Sequence, residues 1–374
     1  MGLEAALLGA ERGFDVTVLE QGRVGEGLRR WGGTRFFSPF GMNVSPRVVR
    51  ALGSAAPAPD ALLTGLEMAE RVLEPLAATP SLRGRVRTGR RVLAIGRARL
   101  TRRDLPGHPL RAERPFRLIV AGPEGEEAIE AESVLDASGV YGQPAHVGVG
   151  GLPARGEGAM AARLLRHLGT LESALPDLSG RDVLVVGHGH SAAQALTMLE
   201  RLAPVPRITW ATRSGNRRPC VEVADDPLSE RQRVTARAND LAAEPPGFLT
   251  IERRTGVESL AAPNGRIEAR LANGRGGAFD AVVGLTGYRP DLSFVSELAL
   301  EISPVSEGAL RLTGALASVT DCLALPDVSD RDLESGEPGF ALVGAKSYGR
   351  LPTFLLRTGL AQLERVVDRL ASGA

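Results

Sequence analysis

Short apolar runs alternate with runs of helical period along this chain, and glycine turns separate them. One such run, Val183 to Val186, is followed by the glycine-rich segment 187–192 and then by small and apolar residues. A short apolar run bounded by turn signals is typical of a strand buried in a parallel sheet, so we predict strand, turn and helix. Residues 207–213 then predict the second strand of a βαβ unit.

A similar order of elements opens the chain. Residues 3–10 predict a helix of small residues, Gly13 ends it, and residues 16–19 predict a short buried strand that leads into Glu20. A glycine just past the last helical residue is a common C-terminal signal of a helix. Helix, glycine, strand and acidic residue come in the order that a dinucleotide-binding unit shows after its glycines.

Two hairpins predict that this arrangement is repeated. Residues 116–120 and 127–135 predict adjacent strands, and residues 267–271 and 279–285 predict a second pair. Glycine-rich turns join each pair, and a small-residue turn follows each second strand. Two copies of one unit explain this pattern, so we predict two nucleotide-binding units. The small-residue turns contain Ser138-Gly139 and Thr286-Gly287.

The remaining segments predict connections and helices. Residues 150–157 are predicted to be a linker because glycine and proline are frequent there. Residues 35–85 predict loops and helices, including a helix at 62–76, and could provide either substrate-facing surface or simple scaffolding. Residues 355–370 predict an amphipathic helix.

The turn at residues 187–192 has the form G-x-G-x-x-A and is a candidate phosphate site. Such a turn directs backbone N–H groups and the positive end of a helix dipole at one point, where a pyrophosphate can bind. We expect Gly187 to allow the tight turn, Gly189 to let a phosphate approach the backbone, and Ala192 to let helix and strand pack closely. The predicted binding residues are Gly187, Gly189, His190, Ser191 and Ala192.

The end of the second strand indicates which dinucleotide is bound. In an NAD site this strand ends in an acidic residue that binds the ribose 2′-hydroxyl, whereas here it ends in Arg213, and Arg217 and Arg218 follow. A guanidinium fork suits a 2′-phosphate, so the sequence favours NADPH over NADH. The alternative is a solvated basic loop.

A second nucleotide site is predicted at the start of the chain. Glu20 lies about as far from Gly2 as the acidic residue of a dinucleotide fingerprint lies from its glycines, about 20 residues. If Gly2 is the third glycine, a strand and two glycines precede Met1, so we expect the natural chain to begin earlier. The segment does not have the features of a signal peptide. The alternative is an ordinary helix at a domain edge.

Composition excludes several classes of protein. With 45 basic and 44 acidic residues the net charge is +1, so nothing indicates binding to nucleic acid or to an acidic membrane. No apolar run approaches the length of a membrane span, and we expect a cytoplasmic protein. Cys220 and Cys322 form neither a C-x-x-C pair nor a zinc pattern, and the five histidines lack metal-binding spacing, so no metal is expected.

Several of these segments resemble the superfamily of flavoproteins with two dinucleotide-binding domains. That superfamily includes flavin-containing monooxygenases, N-hydroxylating monooxygenases and thioredoxin reductase-like enzymes. The sequence is most similar to a bacterial group of FAD/NAD(P)-dependent oxidoreductases related to the flavin-containing monooxygenases, and the resemblance spans nearly the whole chain. The segments that carry it are residues 35–43, 135–139, 187–192, 285–291 and 344–350.

The resemblance implies an α/β fold with two Rossmann-like units of three-layer β/β/α architecture, and FAD and NADPH as cofactors. The FAD domain would comprise residues 1–150 and 293–374, with an NADPH domain inserted at 151–292. Gly2, Glu20, Ser138 and Gly139 would bind FAD, and Thr286 and Gly287 would lie near the nicotinamide nucleotide. The segments predicted to approach the flavin contain Ser38, Pro39, Asn43, Gly344 and Lys346.

Asn43 and Lys346 are the candidate catalytic contacts, although Lys346 could equally be an ordinary surface lysine. The sequence departs from the superfamily pattern at Gly344-Ala345, which lacks the aspartate that many relatives use on the ribityl chain. The F-x-G-x-x-x-H segment of the monooxygenases is not recognisable in residues 170–186. This second departure weakens the monooxygenase assignment more than the flavoprotein assignment.

The expected function is reduction of flavin by NADPH, and the acceptor of the electrons is left open. A monooxygenase-like enzyme acting on a small molecule is the first hypothesis. A homodimer is one possible oligomeric state. Electrons passing instead to a quinone, a disulfide or a partner protein is the second hypothesis. A truncated, non-catalytic nucleotide-binding protein is the third. In the first two cases the cofactor carries the redox chemistry, while the protein orients the reactants and excludes water.

Overall fold

The computed structural model describes residues 1–319 and 321–372, and its strands form both parallel and antiparallel sheets. The strands, in chain order, are β1 (Val18–Glu20), β2 (Val86–Thr88), β3 (Arg91–Arg97), β4 (Phe116–Gly122), β5 (Gly125–Ala131), β6 (Val134–Asp136), β7 (Leu164–Leu165), β8 (Asp182–Val186), β9 (Arg207–Thr212), β10 (Leu249–Arg253), β11 (Val257–Ala261), β12 (Ile267–Leu271), β13 (Gly276–Phe279), β14 (Ala281–Gly284) and β15 (Phe340–Leu342).

The helices lie around these sheets and between them. They are α1 (Gly2–Glu11), α2 (Glu26–Arg29), α3 (Phe40–Asn43), α4 (Pro46–Leu52), α5 (Gly65–Met68), α6 (Glu74–Ala77), α7 (Pro109–Ala112), α8 (Glu157–Met160), α9 (Leu168–Leu178), α10 (His190–Leu199), α11 (Ser229–Ala243), α12 (Leu310–Ala315), α13 (Ala345–Tyr348) and α14 (Leu356–Ser372). Within the described ranges, no helix is both long enough and apolar enough to cross a membrane.

A five-stranded parallel sheet forms the first of the two predicted units, which we call the inserted unit. Its strand order is β10-β9-β8-β14-β7, and α10 connects β8 to β9. The predicted βαβ unit is therefore confirmed. Val183, Leu184 and Val185 are completely buried in this sheet, and full burial of one such side chain contributes about 1.5–3 kcal/mol.

Two short parallel pairs, β1-β2 and β15-β6, form the second unit, which we call the outer unit. Because β15 pairs with β6, the end of the chain returns to residues near its beginning. Helices α1 and α14 pack together in one hydrophobic core that includes Leu8, Leu363 and Val366. The predicted N-terminal helix, its end before Gly13 and the C-terminal helix are confirmed, and the short strand lies two residues later than predicted.

A three-stranded antiparallel sheet comes just before one of the parallel strands in each unit. These sheets are β3-β4-β5, before β6, and β11-β12-β13, before β14. The internal repeat is thus confirmed, but the predictions of single strands at 127–135 and 279–285 were wrong. Polar residues interrupt each predicted strand. Glu132 and Ser133 separate β5 of the antiparallel sheet from the parallel strand β6, and Asp280 separates β13 from β14 in the same way. The carboxylate of Asp280 accepts a bond from the Asp182 N–H at 2.9 Å.

The segment 35–85 consists mainly of short helices, as predicted. The helix expected at 62–76 begins only at Gly65, because Thr64 and Glu67 form a capping box there. It continues through a π-helical turn, Ala69–Leu73, to the end of α6. The apolar period alone placed the start too early, and the T-x-x-E signal marks the true boundary.

A buried carboxylate ties the C-terminal part of the chain to the first antiparallel sheet. The Glu337 carboxylate accepts bonds from Arg97 Nε at 2.8 Å, from Arg111 Nη2 at 2.9 Å and from the Ala299 N–H at 2.8 Å. The side chain of Glu337 is 0% exposed and those of both arginines are 1% exposed. Burial would raise the pKa of Glu337, but the two guanidinium groups outweigh burial and lower it.

We predict that Glu337→Gln destabilises the protein by about 3–5 kcal/mol, because it leaves two guanidinium groups buried without their anion. The free energy of unfolding from urea titrations measures this. Because the pKa is lowered, the stabilisation is complete above the ordinary pKa and is lost as pH falls through the lowered value, so the variant should lose less stability in acid. Glu334→Gln is the control: its partly exposed bridge to Arg311 should contribute less than about 1 kcal/mol. Equal losses in the two variants would contradict the assignment.

Candidate dinucleotide sites and the cavity between them

One cavity of about 2510 Å³ reaches residues of both units. Typical ligand pockets measure about 300–1,000 Å³, so this cavity can hold more than one small ligand. Its wall includes the glycine turn after β8, the carboxyl end of β1, and the small-residue turns after β6 and β14. The predicted site residues on this wall are Gly2, Glu20, Ser38, Asn43, Ser138, Gly139, Gly187, Gly189, His190, Ser191, Arg213, Thr286 and Gly287.

Four predicted site residues do not line the cavity. Pro39 precedes α3 without reaching the wall, and Ala192 is completely buried in the core beneath the glycine turn. Gly344 has a φ of 71°, and a Cβ there would lie 2.7 Å from Met1 Cγ. Lys346 is completely buried.

The two glycines of the turn after β8 differ in what surrounds them. Gly187 has a φ of 121°, and a Cβ there would lie 2.2 Å from the Leu285 carbonyl oxygen at the end of the neighbouring strand β14. Gly189 precedes α10 in an extended conformation, and no atom lies within 4 Å of the position a Cβ would take. Gly187 therefore permits the close approach of two strands, whereas Gly189 leaves open space toward the cavity.

The start of α10 presents free backbone donors to this space. The first bond of the helix runs from the Ala193 N–H to the Gly189 carbonyl at 3.1 Å, so the N–H groups before Ala193 have no partner in the helix. Trp210 Nε1 donates to the Gly187 carbonyl at 2.6 Å and fixes the turn from below. Burial lowers the pKa of both His188 and His190, and Arg213 and Arg231 respectively lower it further.

Two exposed arginines stand at the far end of the same sheet edge. Arg213 follows β9 and Arg254 follows β10, and both line the cavity. Arg218 is instead held by Glu222 and Asp240, each at 2.9 Å. Sequence reasoning missed Arg254, although its place just past a parallel strand next to β9 is the signal that could have revealed it.

The outer unit brings Glu20 and the turn after β6 to the cavity. Glu20 Oε1 accepts a bond from the Gly22 N–H at 2.8 Å, and burial is the main cause that raises its pKa. Gly139 has a φ of 70°, which favours glycine at this position. In the inserted unit, Thr286 Oγ1 donates to the Ala145 carbonyl at 2.7 Å and Gly287 has a φ of 95°.

Lys346 and Asp136 form a buried ion pair beneath the Ser138 turn. Lys346 Nζ lies 2.6 Å from Asp136 Oδ2, and the side chains are 0% and 3% exposed. Lys346 also donates to Ser138 Oγ at 3.0 Å and lies 4.2 Å from the centre of the Phe294 ring. The surface-lysine alternative was therefore wrong. Asp136, which sequence reasoning did not single out, stands between Lys346 and the cavity.

Ser38 and Asn43 hold one another on another part of the wall. Ser38 Oγ donates to Asn43 Oδ1 at 2.6 Å, and Asn43 Nδ2 donates to the Ser38 carbonyl at 2.9 Å. The adjacent Phe37 ring meets the ring of His190 edge-on, with centroids 5.7 Å apart. The segment that contains these residues therefore touches the glycine turn of the inserted unit.

Sequence reasoning also missed four ring side chains that meet on the cavity wall, which we call the aromatic wall. Its members are Trp31, Tyr141, His167 and Tyr288. The ring centroids of Tyr141 and Tyr288 are 4.5 Å apart, and those of His167 and Tyr288 are 5.4 Å apart and nearly parallel. The residues come from four separate segments, so no single sequence motif announces them.

Other candidate chemistries find little support in the described part of the chain. It holds no group of three or more side chains that could bind a metal ion. Cys220 and Cys322 are both free thiols there, and burial raises the pKa of Cys220 to about 12. Cys322 Sγ accepts a bond from Arg231 Nη1 at 2.9 Å.

No protein-family model matches the chain, and no curated protein sequence is similar to it. Solved structures match it over nearly its whole length. A bacillithiol disulfide reductase from Staphylococcus aureus is 15% identical with a TM-score of 0.67, and the match covers 99% of this chain and 95% of the other. An ornithine hydroxylase from Pseudomonas aeruginosa is 16% identical with a TM-score of 0.64, covering 99% and 96%.

A flavin-containing monooxygenase from Stenotrophomonas maltophilia is 18% identical with a TM-score of 0.59, and the match covers 99% of this chain and 95% of the other. At sequence identities of 15–18%, the structural similarity shows the fold and nothing finer. The fold is α/β with two Rossmann-like units, one discontinuous and one inserted. The predicted fold class is confirmed.

The contrast between the two glycines yields a stability prediction. Gly187→Ala should destabilise the protein by at least about 1–3 kcal/mol, because the new Cβ meets the Leu285 carbonyl and φ is positive. Gly189→Ala should cost less than about 1 kcal/mol, because the space is open and the backbone suits alanine. Chemical denaturation of both variants measures the difference. A destabilised Gly189→Ala beside a stable Gly187→Ala would reverse the assignment.

Proposed function

We propose that this protein is an FAD-dependent oxidoreductase that takes electrons from NADPH and acts on a small molecule. The observation that carries the proposal is that one cavity reaches both the turn after β8 and the carboxyl end of β1. In this proposal residues 1–150 and 293–374 form the FAD domain and residues 151–292 the NADPH domain. Residues 320, 373 and 374 of that division lie outside the described residues.

The inserted unit fits NADPH along the edge of its sheet. The open space at Gly189 and the unpaired N–H groups that begin α10 suit a pyrophosphate. Arg213 and Arg254 supply guanidinium groups where the adjoining ribose would carry a 2′-phosphate. Thr286 and Gly287 lie on the other side of the turn, beside Gly187. The nicotinamide therefore belongs beside Thr286 and Gly287, at the turn that follows β14.

The outer unit offers contacts for FAD at two places: the carboxyl end of β1, which suits its adenosine half, and the small-residue turn after β6. Glu20 lies at the carboxyl end of β1 on the cavity wall, where a ribose hydroxyl could donate to it. The N-terminus of α1 begins at Gly2 on the same wall. Ser138 and Gly139 follow β6, and the Asp136–Lys346 pair holds that turn from beneath. When bound, FAD would supply two-electron chemistry between NADPH and the acceptor.

Two features of this chain bear on how the bound molecules are oriented. Lys346 contributes through Asp136 and Ser138, since it does not itself reach the cavity. The Asn43 side chain is locked by Ser38, so it presents a fixed amide edge to the wall. Both residues therefore hold neighbouring groups of the site in place. Whether the enzyme acts as a monooxygenase depends on which small molecule the cavity binds beside the cofactors.

The proposal is tested by the visible spectrum of the purified protein supplied with FAD, before and after anaerobic addition of NADPH. Bleaching of the flavin band by NADPH is expected. Substrate-dependent oxygen uptake with little peroxide would support a monooxygenase, and turnover with an added acceptor in the absence of oxygen would support a reductase. A protein that stays colourless with FAD and still binds NADPH would contradict the proposal and favour the non-catalytic alternative.

Arg213→Ala should weaken the binding of NADPH but not that of NADH. Loss of charge-assisted bonds worth about 1.5–3 kcal/mol corresponds to about 10- to 100-fold in KM for NADPH, with little change for NADH. Steady-state kinetics with both dinucleotides measures it. Arg217→Ala is the control, because Arg217 does not line the cavity. Equal loss with NADH and NADPH would show that Arg213 does not read the 2′-phosphate.

A further inference from the structure

The aromatic wall occupies a particular place on the inserted unit. His167 follows β7 and Tyr288 follows β14, so both stand past the carboxyl ends of neighbouring parallel strands. The glycine turn follows β8, and Arg213 follows β9, farther along the same edge. The wall therefore lies at the opposite end of this edge from the arginines, next to the Thr286–Gly287 turn where the proposed function places the nicotinamide.

Trp31 and Tyr141 complete the wall from the outer unit. Their ring centroids lie 5.6 Å apart, and Trp31 also packs on Phe36 at 4.7 Å. Trp31 Nε1 and Thr34 Oγ1 are buried, and neither has a hydrogen-bond partner among the described residues. Flat rings thus form this part of the cavity wall.

The wall itself carries no charge near neutral pH. Burial raises the pKa of Tyr141 well above its ordinary value and raises that of Tyr288 to about 12. Burial lowers the pKa of His167, and the charges of Arg30 and Arg166 lower it further. Two phenols and a neutral imidazole therefore face the cavity.

The charged side chains that act on His167 are Arg30 and Arg166, and each has a glutamate partner. Arg166 is bound to Glu157 and to the Ala145 carbonyl, so its charge is partly neutralised. Arg30 lies 3.8 Å from Glu26, and both side chains are partly exposed to solvent. The four wall residues provide no anion that would bind an organic cation, whereas an uncharged ring needs none.

His167 and Tyr288 form a hydrogen-bonded pair on this wall. His167 Nδ1 lies 3.0 Å from Tyr288 Oη, and Tyr288 Oη donates to the Arg166 carbonyl at 3.1 Å. The Nδ1 atom is thereby engaged, which leaves Nε2 as the nitrogen that can exchange a proton with a bound molecule. Tyr288 thus fixes the orientation of the ring of His167.

We propose that the aromatic wall binds the electron acceptor, that this acceptor is a flat, uncharged ring bearing carbonyl oxygens, of the quinone class, and that His167 delivers the proton needed for its reduction. This inference rests on the proposed function. The rings of Tyr141 and Tyr288 offer stacking surfaces, and the Tyr141 hydroxyl, together with His167 once solvent has protonated its Nε2, can donate to carbonyl oxygens. Tyr288 is a positioning residue for His167.

The reaction balances with the reductant already proposed. The C4–H bond of the dihydronicotinamide breaks and yields two electrons and one proton equivalent, giving NADP⁺. The quinone takes up two electrons and two protons, so its two C=O groups become two C–OH groups. The second proton comes from solvent through the imidazole of His167. The sum is NADPH, a proton and a quinone giving NADP⁺ and a hydroquinone.

Binding to the wall is tested on the FAD-supplied protein with 2-methyl-1,4-naphthoquinone as the probe. We expect saturable quenching of tryptophan fluorescence that is mostly lost in Trp31→Phe, because Trp210 lies buried in the sheet. Tyr141→Ala should raise the dissociation constant for the quinone at least about fivefold. Tyr348→Phe is the control, since Tyr348 is buried away from the cavity beside Gln362. Quenching that is unchanged in both wall variants would overturn the proposal.

The proton role is tested by anaerobic double mixing, which separates reduction by NADPH from reoxidation by the quinone. His167→Gln should slow reoxidation about 100-fold, the lower range for general acid catalysis, and leave reduction by NADPH within about twofold. The rate of reoxidation should rise as pH falls toward the lowered pKa of His167, and the variant should lack this rise. His108→Gln is the control, because His108 is exposed at the start of α7.

The two proposals fail in different ways. If NADPH does not bleach the flavin of the wild-type protein, the proposed function fails, while quinone binding to the wall is still measured by fluorescence. If bleaching occurs but His167→Gln and Tyr141→Ala leave quinone affinity and reoxidation unchanged, the inference fails alone. Weakened binding of NADP⁺ in place of the quinone would also overturn it, because the wall would then house the nicotinamide.

Discussion

Parallel pairing in the inserted unit is the constraint on which the rest of the structure depends. Because β7, β14, β8, β9 and β10 run in one direction, the segments that follow them meet at one edge. His167, Tyr288, the glycine turn, Arg213 and Arg254 therefore stand in spatial order, although their order in the sequence is different. Ligands of open α/β sheets bind outside the carboxyl ends of the strands, which is where the cavity lies.

The outer unit is built from segments that lie far apart in the sequence, so long-range contacts must hold them together. Strands β6 and β15 form a short pair, which by itself offers few backbone bonds. Buried charges reinforce the connection: Lys346 meets Asp136 beside the pair, and Glu337 meets Arg97 and Arg111 just before β15. Buried ion pairs contribute little when complete but cost much when one partner is lost. They therefore make this arrangement specific more than they make it stable.

Local patterns in the sequence predicted the helices and strands but not the tertiary contacts between them. The apolar run at 183–186 and its glycines predict strand, turn and helix because neighbouring residues determine them. The positive φ of Gly187 belongs with the Leu285 carbonyl of another strand, which no local pattern reveals. Lys346 looked equally suited to the surface, because its partner Asp136 is distant in sequence. The aromatic wall was missed for the same reason, since strand order brings its four segments together.

The fold alone does not decide where electrons go, because disulfide reductases and hydroxylases share it with this chain. What decides is the surface beside the proposed nicotinamide position. A dithiol relay commonly uses a C-x-x-C pair, which the sequence lacks, and burial raises the pKa of the Cys220 thiol to about 12. Uncharged rings and a neutral imidazole meet there instead, with Tyr288 holding His167 in place. Such a surface suits the flat acceptor that we propose, and the strand order of the inserted unit brings its residues together.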